Sequence, residues 1–267
     1  MEQEKADTAN VIGEEVVDRY RAPALDKGLD ILELLATTDE TLSQAEIAKA
    51  LDRKPNEIYR MLDRLVRRHY VARIQGDRYE LTLKLFGLAH RHAPMRRLVS
   101  QAMPELRAFA REAEQACHIA VYDRGSVVVV VQVDAPGYWT LAVRVGSHVG
   151  LFNTGSGHVL LAFATPRERD FMMKEHELMP GEKRPSGIEA RLELVRERGY
   201  ELMASQQTPG VQNLAVPILG PNDTIVAALT SPYMVRVDTT SAPPVGTVLH
   251  MLRAAAQRLA PATGGAE

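Results

Sequence analysis

The sequence lacks the marks of secreted, membrane-spanning and disulfide-stabilised proteins. Its 267 residues include a single cysteine, Cys117, so an intramolecular disulfide is excluded and a reducing compartment is expected. No apolar run approaches the roughly 20 residues that a membrane helix requires. The polar, acidic N-terminus does not resemble a secretory signal, and residues 1–20 lack an apolar period. We therefore expect a cytoplasmic protein that has no membrane partner and begins with a flexible tail.

The sequence also lacks a large excess of either charge, since its formal net charge is only −2. This balance argues against a protein that coats nucleic acid over its whole surface. Residues 53–78 are an exception, because basic residues outnumber acidic ones there. The basic residues are Arg53, Lys54, Arg60, Arg64, Arg67, Arg68, Arg73 and Arg78, and the acidic residues are Glu57, Asp63 and Asp77. The local excess of basic residues matters more than the net charge, because at moderate salt the attraction between a basic side chain and a phosphate is screened beyond about 10 Å.

The same segment has the pattern of a winged helix-turn-helix. Ser43 followed by Glu46 forms a capping-box start for a helix, and Pro55 suits the first position of the next helix. Two β-prone runs then flank the turn at residues 75–77. We predict a DNA-binding domain over residues 21–82, with one helix free to enter a major groove and a hairpin at the DNA backbone.

The outward face of the third helix carries residue types that read base edges or pair with phosphates. The predicted DNA contacts are Lys54, Asn56, Tyr59, Arg60 and Arg64 around this helix, and Arg73, Gln75 and Arg78 on the wing. The alternative is that these charges only solvate an exposed helix. The adjoining basic wing favours the DNA-binding interpretation.

The remaining sequence predicts a linker and a second domain. A linker helix is expected over residues 83–94, ended by Pro94, and a longer helix follows from Met95 to about Ala116. Residues 95–262 then alternate strands and helices, with a strand expected over 140–145. This pattern predicts an α+β fold with a mainly antiparallel sheet.

The chain resembles the IclR family of bacterial transcriptional regulators in having a DNA-binding domain, a linker helix and a second domain in this order. Three passages carry the resemblance, which covers about residues 22–260. They are AEIAKALDRKPNEIYRMLDRLVRRHYV at 45–71, RVGSHVGLFNTGSGHVLLAF at 144–163 and RERGYELMASQQTPGVQNLAVPILGPNDTIVAALTSPY at 196–233.

The resemblance implies an effector-binding and oligomerisation domain built on a curved sheet. It also implies homodimers or dimers of dimers on a palindromic operator near a catabolic promoter. No cofactor or metal is implied. By position, the implied effector pocket comprises Leu141, Gly155, Ser156, Met203, Val211, Asn213, Thr230 and Pro232.

The chain departs from the family pattern inside that implied pocket. Residues 203–206 lack the acidic residues of many members, Asn213 replaces a frequent cysteine, and His158 replaces the usual lysine. Fewer carboxylates ease the binding of an anion, and helix starts offer free N–H donors. The expected effector is a small carboxylic acid, aromatic or not, or a lactone precursor of one.

Three other interpretations stay open at this stage. A hydrolase would use Ser156 as its nucleophile, although Thr154-Gly155-Ser156-Gly157-His158 does not match the G-x-S-x-G motif of α/β-hydrolases. It could otherwise use Cys117 beside His118, although neighbouring residues on a strand point to opposite faces. A zinc enzyme would have to gather scattered histidines, namely His118, His148, His158 and His176. In the third interpretation, the second domain only dimerises the chain and binds no effector.

Overall fold

The computed structural model describes residues 22–91, 93–235 and 242–260. The chain divides into two compact units, the first ending at Ala89 and the second beginning at His90. The predicted tail over residues 1–20 lies outside the described residues. Within the described ranges, no helix is long and apolar enough to cross a membrane.

The first unit is the predicted winged helix-turn-helix. Its helices are α1 (Pro23–Ala36), α2 (Gln44–Ala50) and α3 (Pro55–Arg67). Its three-stranded antiparallel sheet has the order β1-β3-β2, with β1 at Leu42–Ser43, β2 at Val71–Ile74 and β3 at Arg78–Leu81. Both predicted starts are present, because Ser43 and Glu46 form the capping box of α2 and Pro55 opens α3.

A small apolar core fixes the orientation of α3. The buried residues are Ile31 and Leu35 from α1, Ile47 and Ala48 from α2, Ile58 and Leu62 from α3, and Val71 and Tyr79 from the wing. Because Ile58 and Leu62 lie one helical turn apart, burying them turns the opposite side of α3 to solvent.

Two helices follow the wing, and their boundary differs from the prediction. Helix α4 spans Lys84–Arg91 and α5 spans Ala93–Ala113. Pro94 was expected to end the linker helix, yet it lies in the first turn of α5. A proline is tolerated there because the first N–H groups of a helix have no partner within it.

The second unit is an α+β domain around a six-stranded antiparallel sheet. The sheet order is β6-β5-β4-β9-β8-β7. The strands are β4 (Cys117–Asp123), β5 (Ser126–Val133), β6 (His148–Val149), β7 (Glu201–Ala204), β8 (Val211–Leu219) and β9 (Ile225–Met234). Its remaining helices are α6 (Gly155–Phe163), α7 (Pro166–Glu175), α8 (Glu189–Arg198) and α9 (Val245–Leu259).

Each face of this sheet carries its own core. Leu214 and Val216 of β8 pack with α5 and α9, whereas Ala215 between them packs with α6 and α8. Alternate residues of a strand point to opposite faces, so this single strand contributes to both cores. The N-terminus of α6 is thereby held against one face of the sheet.

The strand predicted over residues 140–145 is not formed. Only the following turn is joined to β5, through the Gly146 N–H on the Val129 carbonyl and the Val129 N–H on the Ser147 carbonyl. Gly146 has a φ of +85°, which turns the chain before the short β6 begins. Residues 140–144 therefore form an irregular segment.

Candidate functional site

Helix α3 presents a basic and polar face in the first unit. Lys54, Asn56, Tyr59, Arg60 and Arg64 are all exposed, and Tyr59 keeps 56% of its surface accessible. Exposed arginine and asparagine side chains on one helix face are suited to base edges and phosphates. Asn56, Arg60 and Arg64 lie on the side of α3 opposite the buried Ile58 and Leu62, with Tyr59 on its flank, whereas Lys54 is exposed just before the helix begins.

The wing presents two of its three predicted residues in the same accessible way. Arg73 and Gln75 are exposed, and the turn between the strands contains Gly76 with a φ of +76°. The Arg73 guanidinium donates to Asp77 Oδ1 at 2.6 Å. This exposed ion pair is weak, so a phosphate is able to compete for the guanidinium.

Arg78, the third predicted wing residue, is half-buried and has hydrogen-bond partners within the first unit. Its Nε donates to Thr41 Oγ1 at 2.9 Å and to the Thr41 carbonyl at 3.1 Å. The guanidinium also lies 3.2 Å from Glu46 Oε2, in the capping box of α2. These partners join the wing to α2 through Arg78, and its contact with a DNA phosphate stays a prediction.

A cavity of about 340 Å³ opens in the second unit beside the start of α6. We call it the α6 cavity. Strands β4, β8 and β9 and the loops before α6, after α7 and after β7 supply its walls. Of the eight residues implied by the resemblance, it brings together Leu141, Gly155, Ser156, Val211, Asn213, Thr230 and Pro232.

Met203 is the exception among these eight residues, because it does not line the α6 cavity. Strand β7 is one of the two edge strands of the sheet, and Met203 pairs with Asn213 of β8. The cavity wall on this side is formed instead by the loop after β7, through Ser205, Gln207 and Thr208. Met203 is therefore withdrawn from the predicted pocket.

No lysine, arginine, aspartate or glutamate lines the α6 cavity among the residues that the structure describes. His118 and His148 are the lining side chains that are able to carry a charge. Burial lowers the pKa of His118 to about 4, so this imidazole is neutral near pH 7. The cavity offers its polar groups almost entirely as uncharged donors and acceptors.

A buried polar group of three side chains lies at the wall formed by the sheet and α6. Ser156 Oγ lies 2.8 Å from Thr230 Oγ1 and 3.4 Å from His118 Nε2. All three residues are buried, and His118 pairs with Thr230 across β4 and β9. The family motif predicts Ser156 and Thr230 in the pocket but gives no signal for His118, because only the strand pairing brings His118 there.

The start of α6 is built by close packing around Gly157. Thr154 caps the helix, with its Oγ1 accepting from the Gly157 N–H at 3.1 Å. A Cβ added at Gly157 would lie 2.1 Å from the Leu151 carbonyl oxygen. Glycine is therefore required for the chain to approach the helix start, where the first N–H groups face away from the helix interior.

Two buried histidine–glutamate pairs lie next to the start of α6. His158 Nδ1 lies 2.7 Å from Glu201 Oε2, and Arg191 Nε donates to the same carboxylate oxygen at 2.9 Å. His176 Nε2 lies 2.9 Å from Glu182 Oε2. These pairs were not predicted, because the partners lie 43 and 6 residues apart in the chain.

Glu182 organises the loop that leads into α6. Its carboxylate accepts from the Phe152 N–H at 2.6 Å and from the Met179 N–H at 2.9 Å. Burial acts to raise the pKa of Glu182, but these two N–H groups and His176 together bring it below its ordinary value. An ionised Glu182 thus joins the segments on two sides of the α6 cavity.

The described residues do not form an assembled site for either the hydrolase or the zinc-enzyme interpretation. Cys117 packs in the core on the other face of the sheet from the His118 side chain, and burial raises the pKa of its thiol to about 12. Ser156 and His118 lie 3.4 Å apart, but His118 Nδ1 has no carboxylate to orient it. Across the described residues, no three His, Cys, Asp or Glu side chains converge as a metal site.

Comparison with known proteins gives independent evidence on both units. The family described as "IclR helix-turn-helix domain" matches residues 24–74, and "Bacterial transcriptional regulator IclR C-terminal" matches residues 91–260. The chain belongs to the IclR family of bacterial transcriptional regulators. Membership makes it a helix-turn-helix DNA-binding regulator with an effector-binding domain, as the resemblance had predicted.

Individual IclR-family relatives extend over most of the chain. BhcR of Paracoccus denitrificans is 30% identical over 201 residues, covering 73% of this chain and 71% of BhcR. KdgR of Escherichia coli is 27% identical over 209 residues, covering 76% of this chain and 79% of KdgR. Both are named as HTH-type transcriptional regulators.

A solved structure shares the fold. An IclR homologue from Microbacterium hydrocarbonoxydans, in complex with 4-hydroxybenzoate, has a TM-score of 0.70 at 21% identity. The alignment covers 88% of this chain and 97% of the homologue. At this identity the match shows the shared fold of the two chains.

Proposed function

We propose that this IclR-family regulator controls a catabolic operon by releasing or engaging a palindromic operator when a small carboxylic acid binds the α6 cavity. It acts in the cytoplasm, as a homodimer or a dimer of dimers, and is not an enzyme. The observation that carries the proposal is the uncharged α6 cavity placed at the N-terminus of a buried helix.

The DNA-reading part of the proposal rests on the exposed face of α3. Arg60 is the strongest assignment, because a bidentate arginine–guanine contact discriminates by about 1–3 kcal/mol. Arg73 and Lys54 contact phosphates, and Gln75 lies at the tip of the wing. Asn56, Tyr59 and Arg64 contact base edges and nearby phosphates.

Replacement of Arg60 by alanine tests this assignment. We expect Arg60→Ala to lose most of the preference for operator over random DNA at matched salt. Arg73→Ala should instead weaken binding to all sequences and reduce the slope of log K against log salt by about one. Arg167→Ala removes an exposed arginine from α7 of the second unit and serves as the control. Full discrimination by Arg60→Ala would contradict the assignment.

The effector part of the proposal rests on the electrostatics of the α6 cavity. The first N–H groups of α6 and the positive end of its dipole favour an anionic group. No lining carboxylate in the described residues opposes that anion. The Microbacterium hydrocarbonoxydans homologue was crystallised with 4-hydroxybenzoate, which makes aromatic acids sensible first probes, with aliphatic acids and lactones beside them.

Matched acids and amides separate charge recognition from shape recognition. We expect an acid such as 4-hydroxybenzoate to bind the full chain at least tenfold more tightly than its amide, measured by calorimetry at pH 7.5. Equal affinity within every acid–amide pair, or binding of neutral sugars alone, would contradict the carboxylate proposal.

A further inference from the structure

Helix α5, in the second unit, carries a basic surface of its own. Four arginines are exposed along it, namely Arg96, Arg97, Arg107 and Arg111. The opposite side of the helix is buried in the core on that face of the sheet, through Leu98, Ala102, Leu106, Phe109 and Ala113. At 3.6 residues per turn, the four arginines fall within an arc of about 100° around the helix axis. We call this surface the α5 arginine face.

Helix α5 places no acidic residue within that arc. The other exposed positions there are Ser100 and Pro104. Glu105 and Glu112 project outside the arc, and Glu105 is already paired with Arg258 of α9. Among the described residues, none of the four guanidinium groups forms an ion pair. The α5 arginine face is therefore a row of positive charge without a counter-charge on its own helix.

The helices on the other face of the sheet carry both signs of charge instead. In α7 the charged residues are Arg167, Glu168, Arg169, Asp170, Lys174 and Glu175, and in α8 they are Glu189, Arg191, Glu193, Arg196, Glu197 and Arg198. Interspersed charges of this kind are usual on a solvated surface. On α5, by contrast, Arg107 and Arg111 lie one turn apart, where like charges destabilise a helix. An anion from outside would offset that repulsion.

The length of the α5 arginine face favours a polyanion over a small anion. From Arg96 to Arg111 the helix rises about 22 Å, at 1.5 Å per residue. A single small anion cannot contact guanidinium groups spread over that length. The DNA backbone carries a charge about every 1.7 Å of helix axis, and arginine pairs well with phosphate. DNA is also the polyanion that a member of this family binds.

The chain itself keeps α5 near any DNA that the first unit binds. Arg96 follows Leu81, the last residue of the wing, by 15 positions. Even a fully extended chain of that length reaches only about 50 Å. One turn of B-DNA is about 34–36 Å long, so this reach corresponds to about one and a half turns. DNA held by α3 is therefore present at a high effective concentration for the α5 arginine face.

We propose that the α5 arginine face binds the phosphate backbone of DNA beside the site that α3 and the wing contact. Phosphate contacts carry no sequence information, so they strengthen binding to operator and to random DNA alike. The inference goes beyond the proposed function, which assigns DNA contacts to the first unit alone, and it does not involve the effector.

Two charge-matched variants of the full chain test the inference. The α5 variant combines Arg96→Gln, Arg97→Gln, Arg107→Gln and Arg111→Gln. The control variant removes four exposed positive charges from α7 and α8, by Arg167→Gln, Lys174→Gln, Arg196→Gln and Arg198→Gln. Because α7 and α8 pack on the other face of the sheet, the variants have equal net charge but only one alters the α5 arginine face.

Anisotropy titrations with a labelled mixed-sequence duplex over a series of salt concentrations provide the readout. We expect the α5 variant to bind at least about tenfold more weakly than the wild type at moderate salt. The slope of log K against log salt should fall by about two or more, because each phosphate contact contributes about 0.9. The control variant should stay within about threefold of the wild type, because salt screens charges that are far from the DNA.

A cross-linking measurement keeps all the arginines in place. Cys117 is buried and its pKa is raised to about 12, so a thiol-directed photo-crosslinker reacts at an introduced, exposed cysteine instead. Ser100→Cys puts that label within the α5 arginine face, and Glu193→Cys puts it on α8. With the same duplex bound, we expect the label on Ser100→Cys to cross-link to DNA and the label on Glu193→Cys not to.

The outcomes separate this inference from the DNA contacts proposed for the first unit. Unchanged affinity and slope in the α5 variant, equal losses in both variants, or no cross-link from Ser100→Cys on bound DNA would each overturn it. A smaller oligomer of the α5 variant in sedimentation would also overturn it, since α5 would then join copies of the chain. If Arg73→Ala lowers the slope while the α5 variant does not, the contacts of the first unit stand and the α5 inference fails. The cross-linking result decides the matter if the α5 variant does not fold.

Discussion

Gly157 shows how strongly one residue determines the α6 cavity. Its Cα approaches the Leu151 carbonyl so closely that any Cβ would overlap backbone, which cannot swing away as a flexible side chain can. The cap from Thr154 and the exposed first N–H groups of α6 both depend on that approach. A single hydrogen atom in place of a methyl group therefore preserves the proposed anion site.

Gly157→Ala should destabilise the protein by about 1–3 kcal/mol, the usual cost of forcing extra volume into a packed region. The thermal transition of the second unit reports the change. Gly246→Ala is the matched control, because Gly246 lies in α9 with open space around its Cα. That substitution should be neutral or stabilising by up to about 1 kcal/mol. Equal effects of the two substitutions would contradict the packing argument.

At the scale of elements, α6 is held by charge as well as by apolar contacts. Glu201 and Glu182 are both buried, and each accepts from a histidine that is itself buried. Burial opposes ionisation of Glu201, but His158 and Arg191 together lower its pKa below the ordinary value. The helix start is thus tied to β7 on one side and to the loop after α7 on the other.

The Glu182 pair predicts a dependence of stability on pH. Its pKa is lower in the folded chain than the ordinary value of 4.5, so its contribution is complete above about pH 4.5 and is lost as pH falls through the folded pKa. Glu182→Gln should lower the thermal transition at pH 7 and also reduce the further drop on acidification below about pH 4.5. Glu177→Gln, at an exposed neighbouring position, should change neither. An acid-induced drop as steep in Glu182→Gln as in the wild type would contradict this role.

Local sequence rules predicted elements whose signals lie within a few residues. The capping box at Ser43, the proline at the start of α3 and the hairpin at Gly76 are of this kind, and the structure contains all three. Residues 140–145 were misassigned, because β-prone side chains do not reveal whether a neighbouring strand is available for pairing.

The candidate site was predictable only in part, for a related reason. Position in the family motif placed Gly155, Ser156 and Thr230 beside one another. His118 joins them because β4 pairs with β9, which brings His118 beside Thr230, 112 residues further along the chain. Arg78 looked like any other wing arginine until its bonds to Thr41 were seen. Long-range pairing and side-chain partners are properties of the folded chain.

For the whole molecule, regulation requires two arrangements of the chain that differ in their affinity for the effector and in their affinity for DNA. Such coupling is typically about 1–3 kcal/mol, and it is reciprocal. We expect a bound acid to change operator affinity by about 5- to 150-fold, and operator DNA to change acid affinity by the same factor. Anisotropy titrations of labelled operator, with and without saturating acid, check this equality. An acid that binds without changing operator affinity would leave the second domain as a dimerisation module.

The measurement that tests the central claim most directly is selection of random DNA fragments by the purified full chain at a stated salt concentration. Sequence-specific binding through α3 predicts enrichment of one palindromic site, and predicts that Arg60→Ala, carried through the same selection, loses that enrichment. Failure of the folded wild-type chain to enrich any sequence, or enrichment of the same site by Arg60→Ala, would contradict the account.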